Sequence, residues 1–353
     1  MEKYTALVVG AKGVIGSNLI RYLQTLDCWN IIGLSRKKSD EMEGVLSLSV
    51  DLLDKGDTLN KLAGLNTVTH VFYTAYQDRP TWAELVAPNM TMLQNVVETI
   101  EKASPMLQHI SFMQGYKVYG AHLGPFKTPA REDDPPIMPP EFMTEQQMYM
   151  SQKQQGKNWT WSAIRPSVVS GYALGNPMNL AMVIAVYASI CRELNLPFRF
   201  PGKSGRAYHH LMEMTDAALL AKATVWAATE TRCANQVFNI NNGDLFRWSE
   251  LWPKIGKYFH LENADPLPLP LAEVMSSKET LWESMMAKYG LQYSYREVSS
   301  WLFGDFVFSW DYDFLADGSK ARRLGFHEFV DTEQMFYAIF DEFKKNKVIP
   351  MID

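Results

Sequence analysis

The chain has 353 residues, enough for a large core in one elaborated domain or two lobes. Hydrophobic residues at 47% and charged residues at 21% are the balance of a soluble enzyme. A net charge of −5 argues against a nucleic acid or an anionic membrane as partner, because both call for clustered lysine and arginine.

The opening MEKYTALVVG runs straight into a strand at Ala6–Val9 and leaves no room for a secretory leader. A cytoplasmic protein is therefore expected. Cys28, Cys191 and Cys233 are scattered and odd in number, which suits buried reduced thiols better than a disulfide framework or a zinc site. Two glycosylation-like triplets, at Asn89 and Asn158, read as chance.

After the strand comes GAKGVIG, Gly10 to Gly16, and then apolar residues at helical spacing through Leu19, Ile20 and Leu23. Gly10 makes the turn, Gly13 lets a pyrophosphate approach the backbone beside Val14 and Ile15, and Gly16 allows close helix packing. The spacing GxxGxxG is similar to that of short-chain dehydrogenases/reductases. The next strand, Trp29–Leu34, ends in Ser35-Arg36-Lys37-Lys38, with no acid for a ribose 2′-hydroxyl. NADP(H) is the expected cofactor, with Arg36 the leading phosphate ligand, Ser35 a hydrogen-bond partner and Lys37 beside them.

A third strand, Val45–Val50, leads to Asp51-Leu52, where this superfamily holds the adenine amine. A fourth, Thr67–Thr74, should lay Thr74 and Ala75 along the cofactor. Asn89–Ala103 reads as the crossover helix. A fifth strand, Leu107–Met113, runs into SFMQGYKVYGAHLGPFKTP, and a sixth, Trp159–Ile164, precedes Arg165-Pro166-Ser167-Val168-Val169. That segment resembles the superfamily's loop under the nicotinamide, with Pro166, Val168 and Val169 as contacts. The alternation gives an α/β fold, a Rossmann-like doubly wound parallel sheet.

Residues 1–170 would form the NADP-binding domain, with about 211–242 returning to it. Residues 171–353 would form mainly a smaller, mostly helical substrate-binding cap. Within it, Leu180–Ile190 is too short to span a bilayer and reads as a buried helix. Phe246–Trp252 looks like the start of a packing helix. The Trp- and Met-rich stretch from Leu267 to Trp310 reads as core or as pocket lining, and His209-His210 lacks a third metal ligand at a useful spacing.

Taken together, GxxGxxG, LSRK, QGYKVYG followed by LGPFKTP, WTWSAIRPSVVSG, GNPMNLAMVIAVYA and KARRLGF resemble the progesterone 5β-reductase/iridoid synthase-like enzymes over nearly the whole chain. Those are extended short-chain dehydrogenases that reduce activated carbon–carbon double bonds with NADPH. The resemblance implies a catalytic lysine at Lys117 and a catalytic tyrosine within a pattern like NFYYxxED after a proline pair. Here Pro139-Pro140 is followed by Glu141-Phe142-Met143-Thr144, so both tyrosine positions hold other residues, and the acidic pair has become Gln147 and Met148.

Three hydroxyls are candidates to replace that tyrosine. Tyr149 with Lys153 satisfies YxxxK, but a five-position shift along a helix of ~1.5 Å rise moves a side chain by roughly 7 Å. Tyr116 sits beside Lys117, and Thr144 has the right backbone position with a short reach. Tyr76, Phe142 and Met143 are placed at the substrate. The expected activity is reduction of an enone, enal or related carbonyl on a small hydrophobic substrate. A non-hydride isomerase, cyclase or lyase and an NADP(H)-binding sensor remain as alternatives, and a homodimer stays open.

Overall fold

A computed structural model describes residues 4–36, 42–175, 178–203 and 205–351. Lys37, expected at the phosphate site, lies outside them. Strand β1, Tyr4–Val9, has its last five residues buried, the pattern of a parallel strand covered on both faces. Its neighbours in chain order are β2 (Trp29–Ser35), β3 (Val45–Ser49), β4 (His70–Tyr73), β5 (His109–Met113) and β6 (Thr160–Pro166). β7 (Val168–Ser170), β8 (Phe198–Arg199), β9 (Met214–Asp216), β10 (Gln236–Ile240) and β11 (Asn263–Ala264) follow.

Seven strands form one parallel sheet in the order β10-β6-β5-β4-β1-β2-β3. Strand β10 joins beside β6 although more than seventy positions separate them in the chain. The order reverses between β1 and β4, so the crevice at their C-terminal ends is where this topology places a ligand.

The helices of the first two thirds are α1 (Val14–Gln24), α2 (Lys55–Leu62), α3 (Trp82–Ala103), α4 (Phe142–Lys153), α5 (Leu180–Glu193), α6 (Gly205–His209), α7 (Ala217–Thr229) and α8 (Trp248–Tyr258), and α9 (Leu271–Val274), α10 (Glu279–Tyr289), α11 (Tyr295–Val298), α12 (Trp301–Phe308), α13 (Ser319–Arg323) and α14 (Thr332–Lys345) follow. Alternation along β1 splits the core. Ala6 and Val8 pack with Leu19, Ile20 and Leu23 of α1 and Ala221 and Val225 of α7. Leu7 and Val9 pack with Met92, Leu93 and Val96 of α3 and Met150 of α4.

Helix α3 begins at Trp82, seven residues before the expected start at Asn89. Thr81 caps it through the Glu84 amide at 3.4 Å, and Pro88 lies inside. Proline removes one backbone donor, which favours a boundary in a sequence reading. In the fold, the buried Asn89 amide donates to the Leu85 carbonyl at 2.8 Å and to the Gln77 carbonyl at 2.9 Å, which ties this helix to the loop after β4. Complete burial of Asn89 fits the reading of its glycosylation triplet as chance.

The C-terminal part is helical and dense. Every residue from Leu180 to Cys191 of α5 is buried. Trp248 and Trp252 of α8 pack against Phe200 and Phe308, and Phe198 stacks on Trp252 with ring centroids 4.4 Å apart. Trp282, Trp301 and Trp310 are buried in the same cluster, so these three aromatics of the Leu267–Trp310 stretch serve as core. Among the described residues no helix is long and apolar enough to cross a membrane, and no cluster of three metal-ligating side chains occurs. All three cysteines are free thiols.

Candidate active site

The glycine turn lies at the sheet crevice. Gly10 has φ +92°, and a Cβ there would stand 2.7 Å from Thr74 Oγ1. A Cβ on Gly16 would stand 2.3 Å from the Gly10 carbonyl oxygen, so only glycine permits this packing of turn on helix. Gly13 caps α1 without any side chain, and the first turn carries no acid. Its first amides are thus left for an anion, and the helix dipole favours one. Thr74 reinforces the turn by donating from its hydroxyl to the Val9 carbonyl at 2.8 Å.

At the rim, Ser35 is half-buried and Arg36 is exposed, with no ion-pair partner among the described residues. Asp51 is exposed and accepts from the Leu53 amide at 3.0 Å, while Leu52 is buried and its carbonyl takes the Asn95 amide at 2.9 Å. Ala75 packs against the α3-side core. Pro166 ends β6 next to the turn that carries Lys117, since a Cβ on Gly115 would lie 3.6 Å from the Pro166 carbonyl oxygen. Val168 and Val169 belong to β7, which pairs with β9, and Val169 and Ile15 pack around Val14 and Ala217.

Lys117 sits in a 3-10 turn, Tyr116–Tyr119, directly after β5. Its ammonium lies 5.7 Å from the Tyr76 ring centroid and 5.5 Å from that of Trp82, and it makes no hydrogen bond or ion pair among the described residues. Tyr76 in turn packs on Phe142 at 5.7 Å. Burial lowers the lysine's pKa, while the carboxylates of Asp78 and Glu141 pull the other way. A desolvated cation held by ring faces can stabilise negative charge that appears beside it.

The hydroxyls expected to serve as acids are directed elsewhere. Tyr116 donates to Glu213 Oε1 in a fully buried contact, and burial raises its pKa well above the usual tyrosine value. Glu213 also accepts from the Ala316 amide and from Asn241, both at 2.9 Å, so Tyr116 belongs to the seam between β9 and the C-terminal part. Thr144 gives its only proton to Glu141 Oε2 at 2.8 Å, because Glu141 caps α4 and also takes the Met143 and Thr144 amides. Tyr149 packs against the α3-side core with its hydroxyl buried and without a hydrogen-bond partner among the described residues, and burial raises its pKa, with Glu98 and Glu101 adding to the rise. Lys153 pairs with Glu101 at 3.0 Å, and the YxxxK spacing produces no tyrosine–lysine hydrogen bond among the described residues.

Behind the turn, the buried Arg165 braces the site. It donates to Gln114 at 2.8 Å, to the Tyr119 hydroxyl at 2.9 Å and to Gln147 at 3.0 Å. Gln114 passes the constraint on to the Met143 carbonyl at 2.7 Å and so fixes the start of α4. Because Gln147 is neutral, Arg165 has no carboxylate partner at ion-pair distance among the described residues. Thr144 and Gln147 line a cavity of about 480 Å³ together with Tyr119, Glu132 and Arg165, which Lys117 does not line.

Trp82 and His122 were not singled out in the sequence. Trp82 was hidden by Pro88, although Thr81-Trp82-Ala83-Glu84 has the form of a helix N-terminus. His122 stacks on Trp82 with ring centroids 3.8 Å apart, and no local pattern marks a single histidine inside a glycine- and proline-rich loop.

A parallel doubly wound sheet with a glycine turn at its switch point and a helical C-terminal part defines the extended short-chain dehydrogenase/reductase class. Residues 39–350 match the PRISE-like Rossmann-fold domain, and the chain belongs to that family. It is 31% identical to an (S)-8-oxocitronellyl enol synthase of Camptotheca acuminata over 98% of this chain and 93% of that protein. It is also 31% identical to a 3-oxo-Delta(4,5)-steroid 5-beta-reductase of Arabidopsis thaliana, with the same coverage. Among solved structures, the UDP-glucose 4-epimerase of Thermotoga maritima with UDP-glucose superposes with a TM-score of 0.69 at 17% identity, covering 97% of this chain and 99% of that one. The likeness to the epimerase shows the fold alone.

Proposed function

We propose that the protein is an NADPH-dependent reductase of α,β-unsaturated carbonyls, enones or enals, on small hydrophobic substrates. The observation that carries this reading is the ammonium of Lys117, without an ion pair, against Tyr76 and Trp82 at the mouth of a dinucleotide crevice. The family relatives named as an enol synthase and a steroid reductase support the reaction class.

The crevice fits the cofactor on its own geometry. Gly10, Gly13 and Gly16, with Val14 and Ile15, would hold the pyrophosphate against the uncapped start of α1. Arg36 and Ser35, with Lys37 next in the chain, would take the 2′-phosphate, since no acid stands at the end of β2. Asp51 and Leu52 would meet the adenine, Thr74 and Ala75 would line the crevice floor, and Pro166, Val168 and Val169 would back the nicotinamide.

When bound, the reduced nicotinamide supplies the hydride that adds to the β-carbon. The protein's part is to bind the carbonyl end and carry the charge that moves onto its oxygen. Lys117 does so electrostatically, and Tyr76, Phe142 and Met143 shape the apolar side of the substrate space. The α-carbon takes its proton from water, so no phenol acid is required.

A proton-transfer reaction without hydride is the second reading. Glu141 favours it, as a buried carboxylate whose field reaches Lys117. Purified protein with NADPH and a panel of enals, enones and ketones, followed at the nicotinamide absorbance, separates the two. Substrate-dependent oxidation, faster with NADPH than with NADH, is the expected result. Tight NADPH binding with no oxidation across the panel contradicts it, and product formed without NADPH consumption establishes the second reading.

A further inference from the structure

Lys117 shares its turn with two buried tyrosines. Tyr116 and Tyr119 stand three positions apart, and in a 3-10 turn residues at i and i+3 lie one above the other on the same side. Their ring centroids are 5.9 Å apart. Lys117, next after Tyr116, is carried about a third of a turn away from both, toward Tyr76 and Trp82. Gly115 gives the turn no side-chain cap, so its side-chain anchors are the two tyrosines.

Each anchor is fastened in a different part of the fold. The Tyr119 hydroxyl donates to Asn239 Oδ1 at 2.6 Å and accepts from Arg165 at 2.9 Å. The Tyr116 hydroxyl donates to Glu213 Oε1, an oxygen that also takes the Ala316 amide, while Oε2 takes Asn241. Glu213 thereby ties the lysine's turn to residues 314–316, and that segment also grips the loop beyond the turn. The Ala130 amide donates to the Leu315 carbonyl at 3.2 Å, and the Tyr312 hydroxyl donates to the Ala121 carbonyl at 2.7 Å. Glu213 is 2% exposed and has no cation at ion-pair distance among the described residues. A buried carboxylate without a paired cation costs stability, and groups of that kind gather at functional sites.

We propose that Glu213 is a positioning residue for Lys117: by holding the Tyr116 hydroxyl it fixes the turn from which the ammonium meets the substrate oxygen. The proposal rests on the reductase reading for the task it gives Lys117. Tyr116 then acts as a strut and keeps its proton throughout. The ammonium makes no hydrogen bond or ion pair among the described residues, so its place depends on its turn and on the two rings beside it. Charge stabilisation by a preorganised group is lost steeply when that group is misplaced, even by about 1 Å. The hydrogen bond is separable from packing, because the Tyr116 ring also lies on Phe314 at 5.6 Å between centroids.

Two readouts on the full chain test this with Tyr116→Phe, Glu213→Gln and the double variant. In the first, lysine labelled at Cε is observed by NMR, and the Lys117 signal is assigned by its loss in Lys117→Arg. Its ε-protons lie against the rings of Tyr76 and Trp82, so they should resonate apart from those of the other lysines and move back toward them in both single variants. In the second, kcat toward an enone should fall about tenfold in each single variant, with NADPH affinity within about twofold of the parent. The double variant should fall no further, because both changes remove one contact. Tyr116→Phe, which keeps its ring on Phe314, decides the matter should Glu213→Gln not fold. An unmoved Lys117 signal in Tyr116→Phe, losses that multiply in the double variant, or a loss confined to Tyr116→Phe overturns the proposal. A Lys117 signal that moves in proteins that oxidise no NADPH leaves Glu213 its positioning role and overturns the reductase reading instead.

Discussion

The crevice around Gly10–Gly16 and the stretch from Ser111 to Lys153 follow different rules. The first is backbone-built. Its geometry depends on the absence of side chains, so the glycine spacing is nearly sufficient to specify it. The second is side-chain-built, and which groups are available depends on partners that come from distant parts of the chain. Tyr116 is claimed by Glu213, 97 positions away, and the Tyr149–Lys153 pair is disrupted by Glu101. Spacing identifies a backbone device well, and it identifies a side-chain pair only when nothing else competes for either member.

Substitutions sharpen that contrast, and the largest effect belongs to the backbone device. Gly16→Val places a side chain into the Gly10 carbonyl, where even a Cβ would stand at 2.3 Å. NADPH affinity measured by fluorescence titration should fall on the order of a hundredfold or more. Arg36→Ala should weaken NADPH about ten- to a hundredfold in the same titration while leaving NADH nearly unchanged, as expected for loss of a charge-assisted contact to one phosphate.

The seam at Glu213 gives a smaller, pH-dependent effect. Burial pushes this carboxyl up to about 7, despite the hydrogen bonds donated by Tyr116, the Ala316 amide and Asn241. The folded protein therefore keeps a proton that the unfolded chain releases near 4.5. Stability from this group is fully present below that lower value and is lost as pH rises through about 7. The unfolding free energy from urea titration should fall across this window by about 3 kcal/mol, and Glu213→Gln should flatten the fall. The smallest effect is expected of Tyr149→Phe, which removes a buried hydroxyl that has no hydrogen-bond partner among the described residues. Its urea midpoint should stay put or rise, with a gain of at most about 1 kcal/mol.

The parallel sheet was legible because apolar runs, the glycine turn and the basic end of β2 are local signals. Element ends were less so. Helix α3 runs through Pro88 because Asn89 supplies tertiary hydrogen bonds that a local reading cannot see. That extension carries Trp82 to Lys117, and with Trp82 comes His122. At the site, the position of Lys117 in its turn could be read from the motif around it. The fate of Thr144 could not, because it depends on Glu141 acting as the cap of α4 and taking the hydroxyl proton.

In the proposed reaction Lys117 is the group that stabilises charge, and the YxxxK tyrosine takes no part. Single-turnover oxidation of bound NADPH by an enone, measured on Lys117→Ala and Tyr149→Phe side by side, addresses it directly. A loss of roughly a hundred- to a thousandfold is expected for Lys117→Ala, and a rate within about twofold of the parent for Tyr149→Phe. A Tyr149→Phe protein without hydride transfer, beside a Lys117→Ala protein that retains it, would instead give the catalytic role to Tyr149.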